Sequence, residues 1–114
     1  MDTEKTVDLV TYLEDEVSNG GFHQLFHNSS GDHTAEMICA LETIEAFAMA
    51  EIVRRAAGKF PGGTPPKERP ERQEALWKNF PATHEFDELN EEFFAYPDNL
   101  SKLLESYTSN SPIS

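Results

Sequence analysis

One cysteine, Cys39, is the chain's whole complement, so neither an intrachain disulfide nor a cysteine-rich zinc site can be built from it. Positive charge is scarce as well. Nine Lys and Arg stand against 21 Asp and Glu, a formal net charge of −12 over 114 residues. Such a surface repels a polyanion and offers no phosphate neutralisation to drive association, which argues against direct binding of nucleic acid. An anionic membrane surface is disfavoured on the same ground. No apolar run approaches the roughly 18 residues of a membrane span. The start, Met1-Asp2-Thr3-Glu4, lacks the basic character of a signal peptide. A cytoplasmic location is the resulting expectation.

Large apolar residues are few too. Leu, Ile, Val and Phe together make about 22% of the chain, just above the range where high net charge goes with disorder. The core therefore has to be small, and much of it has to come from the eight phenylalanines. Patterns of covalent catalysis are missing: there is no G-x-S-x-G, and Gly20-Gly21 and Gly62-Gly63 lack the strand-to-helix setting of a phosphate loop. The expectation is a protein that is not an enzyme and holds no cofactor.

What is present is the length of one domain, expected over residues 1–110 with a short tail at 111–114. Charge falls in three blocks: residues 1–57 carry −8, residues 58–84 carry +2, and residues 85–114 carry −6. The mildly basic middle includes a Pro/Gly-rich connection from Phe60 to Pro70. No internal repeat is visible.

Periodicity predicts helices throughout. Over residues 3–17, Leu9, Val10, Leu13 and Val17 share one face while Glu4, Asp8 and Asp15 form a stripe on the other. Ser18-Asn19-Gly20-Gly21 is predicted to end that helix, the glycines supplying the left-handed cap. Phe22, Leu25 and Phe26 then mark further helical turns, and residues 28–32 read as a loop. Residues 33–58 are helical, with Met37, Leu41, Ile44, Ala48 and Ile52 on one face and a break near Glu45-Ala46. Pro70 fits the first position of a helix running through Arg72, Ala75, Leu76 and Trp77. Phe86, Leu89 and Phe93 define another, with Glu85, Asp87, Glu88, Glu91 and Glu92 opposite them. Asp98 is predicted to cap a last helix that turns Leu100, Leu103, Leu104 and Tyr107 inward. No segment alternates with period two for long enough to be a strand. The expected fold is a single all-α bundle of about five to seven short helices.

Four groups of residues bear on chemistry. Asp8 and Asp15 lie about 10 Å apart along a helix axis, a spacing that can imitate phosphates along a DNA strand for a protein that grips DNA with Lys and Arg. A solvated helix face is the plainer reading of such a charge run. His23 and His27, at i and i+4, could present a zinc pair, with His33 or Glu36 nearby. Without a third ligand they read instead as neighbours of the core residues Phe22 and Phe26, and no metal is assigned. Cys39 is expected to be a small core residue rather than a nucleophile. Arg54, Arg55, Arg69 and Arg72 are expected to pair with the acidic helices.

The run Glu16-Val17-Ser18-Asn19-Gly20-Gly21-Phe22-His23-Gln24 resembles the E-V-x-N-G-G-F-x-Q pattern of the DNA-mimic protein 19 family, an all-helical bacterial domain. The likeness continues through Asn28, Gly31-Asp32 and Ala40-Leu41-x-x-Ile44. It resumes at Phe60-Pro61 and Phe86-Asp87-Glu88-Leu89-x-x-x-Phe93, and ends near Tyr107. The family often has glycine where this chain has Glu45, and an N-terminal helix found in longer relatives is expected to be short or missing here. The resemblance implies that Asn19 and Gly20 end a helix, that Phe22 enters the core and that Gln24 bonds backbone. It further implies a role like that of the family's named member, an acidic DNA mimic occupying the DNA-binding surface of a transcription regulator. The expected activity is inhibition of a basic DNA-binding protein through Glu4, Asp8, Asp15, Glu85, Asp87, Glu88, Glu91 and Glu92. An immunity protein against a toxin such as a nuclease is the alternative. A metal-dependent enzyme using His23 and His27 is a weaker one.

Overall fold

Asp2 starts the first helix by accepting the Lys5 amide on its carboxylate at 2.8 Å, the usual device for satisfying an orphan N–H. From there the computed structural model, which describes residues 2–109, runs through six α-helices and no strand among those residues. They are α1 (Thr3–His27), α2 (Thr34–Thr43), α3 (Phe47–Ala57), α4 (Arg69–Asn79), α5 (Asp87–Phe94) and α6 (Leu100–Ser109). Short 3-10 turns lie at Ser29–His33, Pro61–Gly63 and Thr83–Phe86. The tail expected at 111–114 lies outside the described residues.

The long first helix is two helices joined at a kink. Gly20 (φ −155°) and Gly21 (φ +71°, ψ −170°) leave helical geometry, and helical turns resume at once. The expected stop at Ser18-Asn19-Gly20-Gly21 is therefore a kink. Only glycine adopts the Gly21 geometry readily. The amide after it, on Phe22, donates to Asn90 Oδ1 of α5 at 2.9 Å, so the restarted helix is capped from another element.

The α1 residues Leu9, Val10, Leu13, Val17, Phe22, Leu25 and Phe26 are all buried, as the periodicity requires. Six phenylalanines, Phe22, Phe26, Phe60, Phe80, Phe86 and Phe93, form one chain of ring contacts with centroids 5.0–6.4 Å apart. Those separations suit edge-to-face and offset packing. The scarcity of aliphatics is met by this aromatic centre. In α6, Leu100 is buried, and Leu103, Leu104 and Tyr107 pack partly buried against the core.

The helix break falls at the predicted place, between α2 and α3. There the Ala46 amide reaches the Leu41 carbonyl at 2.8 Å and the Glu45 amide reaches Glu42 at 3.0 Å, the 6→1 and 5→2 bonds of a Schellman stop. Glu45 holds the left-handed position at φ +68°.

Four local expectations are corrected. Residues 28–32 are largely a 3-10 turn and not an irregular loop. Ala48 is exposed, because the break resets the rotational phase and puts Met49, Ala50, Ile52 and Val53 inward instead. Cys39 is exposed, being on the side of α2 opposite Met37 and Leu41. Asp98 does not cap α6: Asn99 Oδ1 accepts the Lys102 amide at 3.1 Å. Asp98 Oδ2 instead reaches back 49 residues to the Met49 amide in the first turn of α3, at 2.8 Å.

Candidate protein-binding surface

On α1 the stripe of Glu4, Asp8 and Asp15 is exposed, and none of the three carboxylates takes part in a hydrogen bond or ion pair among the described residues. The one lysine beside it, Lys5, is turned to Glu36 of α2 at 3.1 Å. That helix face is left to solvent with its charge uncompensated.

The five acids assigned to a single face near α5 divide into two pairs and a residue that stands apart. Asp87 and Glu91, one turn apart, are exposed and unpaired among the described residues. Glu88 and Glu92 turn toward α3. Glu92 accepts both terminal nitrogens of Arg55, at 2.7 and 2.8 Å, and this fork holds its carboxyl below the usual range. Glu88 makes no such bond but lies within electrostatic reach of the same guanidinium. Glu85 sits in the 3-10 turn before the helix, 3.9 Å from His84. Glu92 is thus committed inside the molecule.

The arginines follow the expected pairing in part. Arg54 bridges Glu42 and Glu51, which ties α2 to α3. Arg69 donates to the His27 carbonyl at 3.3 Å. Arg72 is fully buried, which residue type alone argues against. It donates to the carbonyls of Phe26 (2.6 Å), Asn28 (2.8 Å), Lys67 (2.8 Å) and Pro66 (3.1 Å), and Asp32 Oδ1 lies 2.7 Å away as its counter-charge. A guanidinium has the donors to reach four carbonyls at once, of which that of Asn28 also accepts the Gly31 amide. Gly31 makes this possible, since a Cβ there would stand 2.8 Å from Arg72 Nε and 2.7 Å from the Leu25 carbonyl.

The polar residues around the kink form a second knot. Glu16 accepts from Gln24 Nε2 (2.8 Å), Ser30 Oγ (2.9 Å) and Asn28 Nδ2 (3.1 Å). Burial pushes the Glu16 carboxyl up, but the hydrogen bonds from Gln24, Ser30 and Asn28 outweigh it and hold the group below its ordinary value. Gln24 therefore bonds a side chain, where backbone was expected. A Cβ on Gly20 would fall inside the Gln24 side chain. Asn19 is exposed beside the kink, and Phe22 is fully buried.

The family model for DMP19-like proteins matches residues 2–111, nearly the whole chain. The chain belongs to the DMP19-like protein family. No curated protein and no solved structure matches it. In this DMP19-like chain the residues of the E-V-x-N-G-G-F-x-Q run serve architecture: Glu16, Gly20, Gly21, Phe22 and Gln24 build the kink and its polar brace. The exposed carboxylates lie outside that run.

His23 and His27 lie on the second half of α1. Burial, and then the neighbouring His27, push the His23 imidazole below its ordinary value. His27 is exposed and approaches the Asn28 side chain at 3.4 Å. His33 does not join them; it meets Glu36 Oε1 at 3.0 Å. No group of three or more His, Cys, Asp or Glu suited to a metal converges among the described residues. Likewise, no helix among the described residues is long and apolar enough to cross a membrane.

Proposed function

We propose that this DMP19-like protein is an acidic inhibitor that occupies the nucleic-acid-binding surface of a basic partner. The observation that carries the reading is the split in the carboxylates. The chain has nine Lys and Arg, and Lys5, Arg54, Arg55 and Arg72 are spent on Glu36, Glu42, Glu51, Glu92 and Asp32. Glu4, Asp8, Asp15, Asp87 and Glu91 are left exposed and uncompensated on two helices. A surface kept in that state is costly through self-repulsion, and it favours association with positive charge by steering and by electrostatic complementarity. The family resemblance supports the same role, since its named member is a DNA mimic. Binding, not catalysis, is the function this surface serves, and it needs no metal or cofactor.

The test is competition. A DNA-binding protein retained by the immobilised chain from a lysate of its own host should release the chain when its own duplex DNA is added. Retention that survives saturating DNA overturns the reading.

A further inference from the structure

Both acidic stripes contain an exposed aromatic residue. On α1, Tyr12 follows Asp8 by four residues and precedes Asp15 by three, so it stands in the same stripe, and it is 56% exposed. On α5, Phe94 follows Glu91 by three and Asp87 by seven, again in the same row, and it is 47% exposed. Tyr96 links the end of α5 to α1 at a point outside the Asp8–Tyr12–Asp15 row. That residue follows α5, is 38% exposed, and donates its hydroxyl to Glu14 of α1 at 2.6 Å. It holds a left-handed backbone at φ +49°, a strained conformation for a tyrosine.

We infer that each row is a mixed surface, with Tyr12 in one and Phe94 in the other as anchors for apolar side chains set among the partner's Lys and Arg. The inference rests on the proposed inhibitory role and narrows the partner's chemistry. A DNA backbone offers positive side chains only negative charge to contact. A protein mimic that adds aromatic rings to its acids gains contacts that the phosphate backbone lacks, and buried aromatic anchors dominate interface energetics. Charge selects the occupant. A second copy of this chain would set one acidic stripe against another, whereas a basic, amphipathic helix laid on either row presents cations to Asp8 and Asp15, or to Asp87 and Glu91, and apolar groups to the ring.

Two synthetic peptides of equal positive charge test this. One is an oligolysine; the other is a helix carrying Lys and Arg with Leu at intervals of three and four. Wild-type protein should bind the amphipathic peptide about tenfold tighter than the oligolysine, an anchor-sized difference. The Tyr12→Ser/Phe94→Ser variant should lose that preference and keep its oligolysine affinity. Phe94 also rests edge-on against Phe93, so Tyr12→Ser alone serves as a second variant that leaves the core untouched, and it should lose part of the preference. A preference unchanged in both variants, or equal binding of the two peptides by the wild type, overturns the inference and leaves the electrostatic role standing. Failure of both peptides to bind at low salt overturns the inference and the inhibitory role together. Dimerisation of the wild type that is abolished by Tyr12→Ser would assign the rings to self-association and also overturn it.

Discussion

Glu45 occupies a backbone position that glycine normally fills. It is the left-handed residue of a Schellman stop, at φ +68°, where a Cβ costs about 1–2 kcal/mol. Glycine would relieve that strain and give back part of the gain through greater entropy of the unfolded chain. Glu45→Gly should therefore stabilise the fold by up to about 1 kcal/mol, read as a higher denaturant midpoint with unchanged slope. A lower midpoint would show that Glu45 is held there by something other than the stop. Glu16 is the other residue with a measurable signature. Its carboxyl is held below its ordinary value, so the stability it adds is present above the unfolded value of about 4.3 and is lost as pH falls through the folded one. The stability gap between wild type and Glu16→Gln should be widest near neutrality and close on acidification past that range. A gap independent of pH would contradict the brace. Glu36 and Glu92, lowered by partners of their own, add to the acid sensitivity that remains in the variant.

Elements were more legible than the links between them. The break at Glu45-Ala46 shows in the sequence because no single apolar face fits both sides of it, and α5 shows in the spacing of Phe86, Leu89 and Phe93. Ala48 was misplaced by carrying one helical phase across that break. Arg72 was hidden because its main partners are backbone carbonyls, which no side-chain pattern announces. Asp98 looked local, yet it caps α3 from 49 residues away. Asp98→Ala should cost about 1 kcal/mol and speed hydrogen exchange at the Met49 amide, whereas Asn99→Ala should speed exchange at Lys102 alone. Equal protection of Met49 in both variants would remove the cap. The acid stripe on α1 was readable from periodicity. Its counterpart near α5 was readable only in part, since nothing in the sequence tells that Arg55 claims Glu92 and leaves Asp87 and Glu91 outside.

Taken as a whole, the molecule separates its charges by use. Arg72 braces a loop from the interior and Lys5, Arg54 and Arg55 tie helices together at the surface, while Glu4, Asp8, Asp15, Asp87 and Glu91 stand exposed and unpaired on α1 and α5 among the described residues. Exposed charges of that kind act over roughly 10 Å at 0.1 M salt, so partner association should slow steeply as salt rises while dissociation changes less. The measurement that bears most directly on this account is a titration of the complex between this chain and its DNA-binding partner with that partner's duplex. Mutually exclusive binding is predicted, with Asp8→Asn/Asp15→Asn weakening the protein's side of the competition and Glu92→Gln leaving it nearly unchanged. A ternary complex holding DNA and this protein on one partner molecule would contradict it.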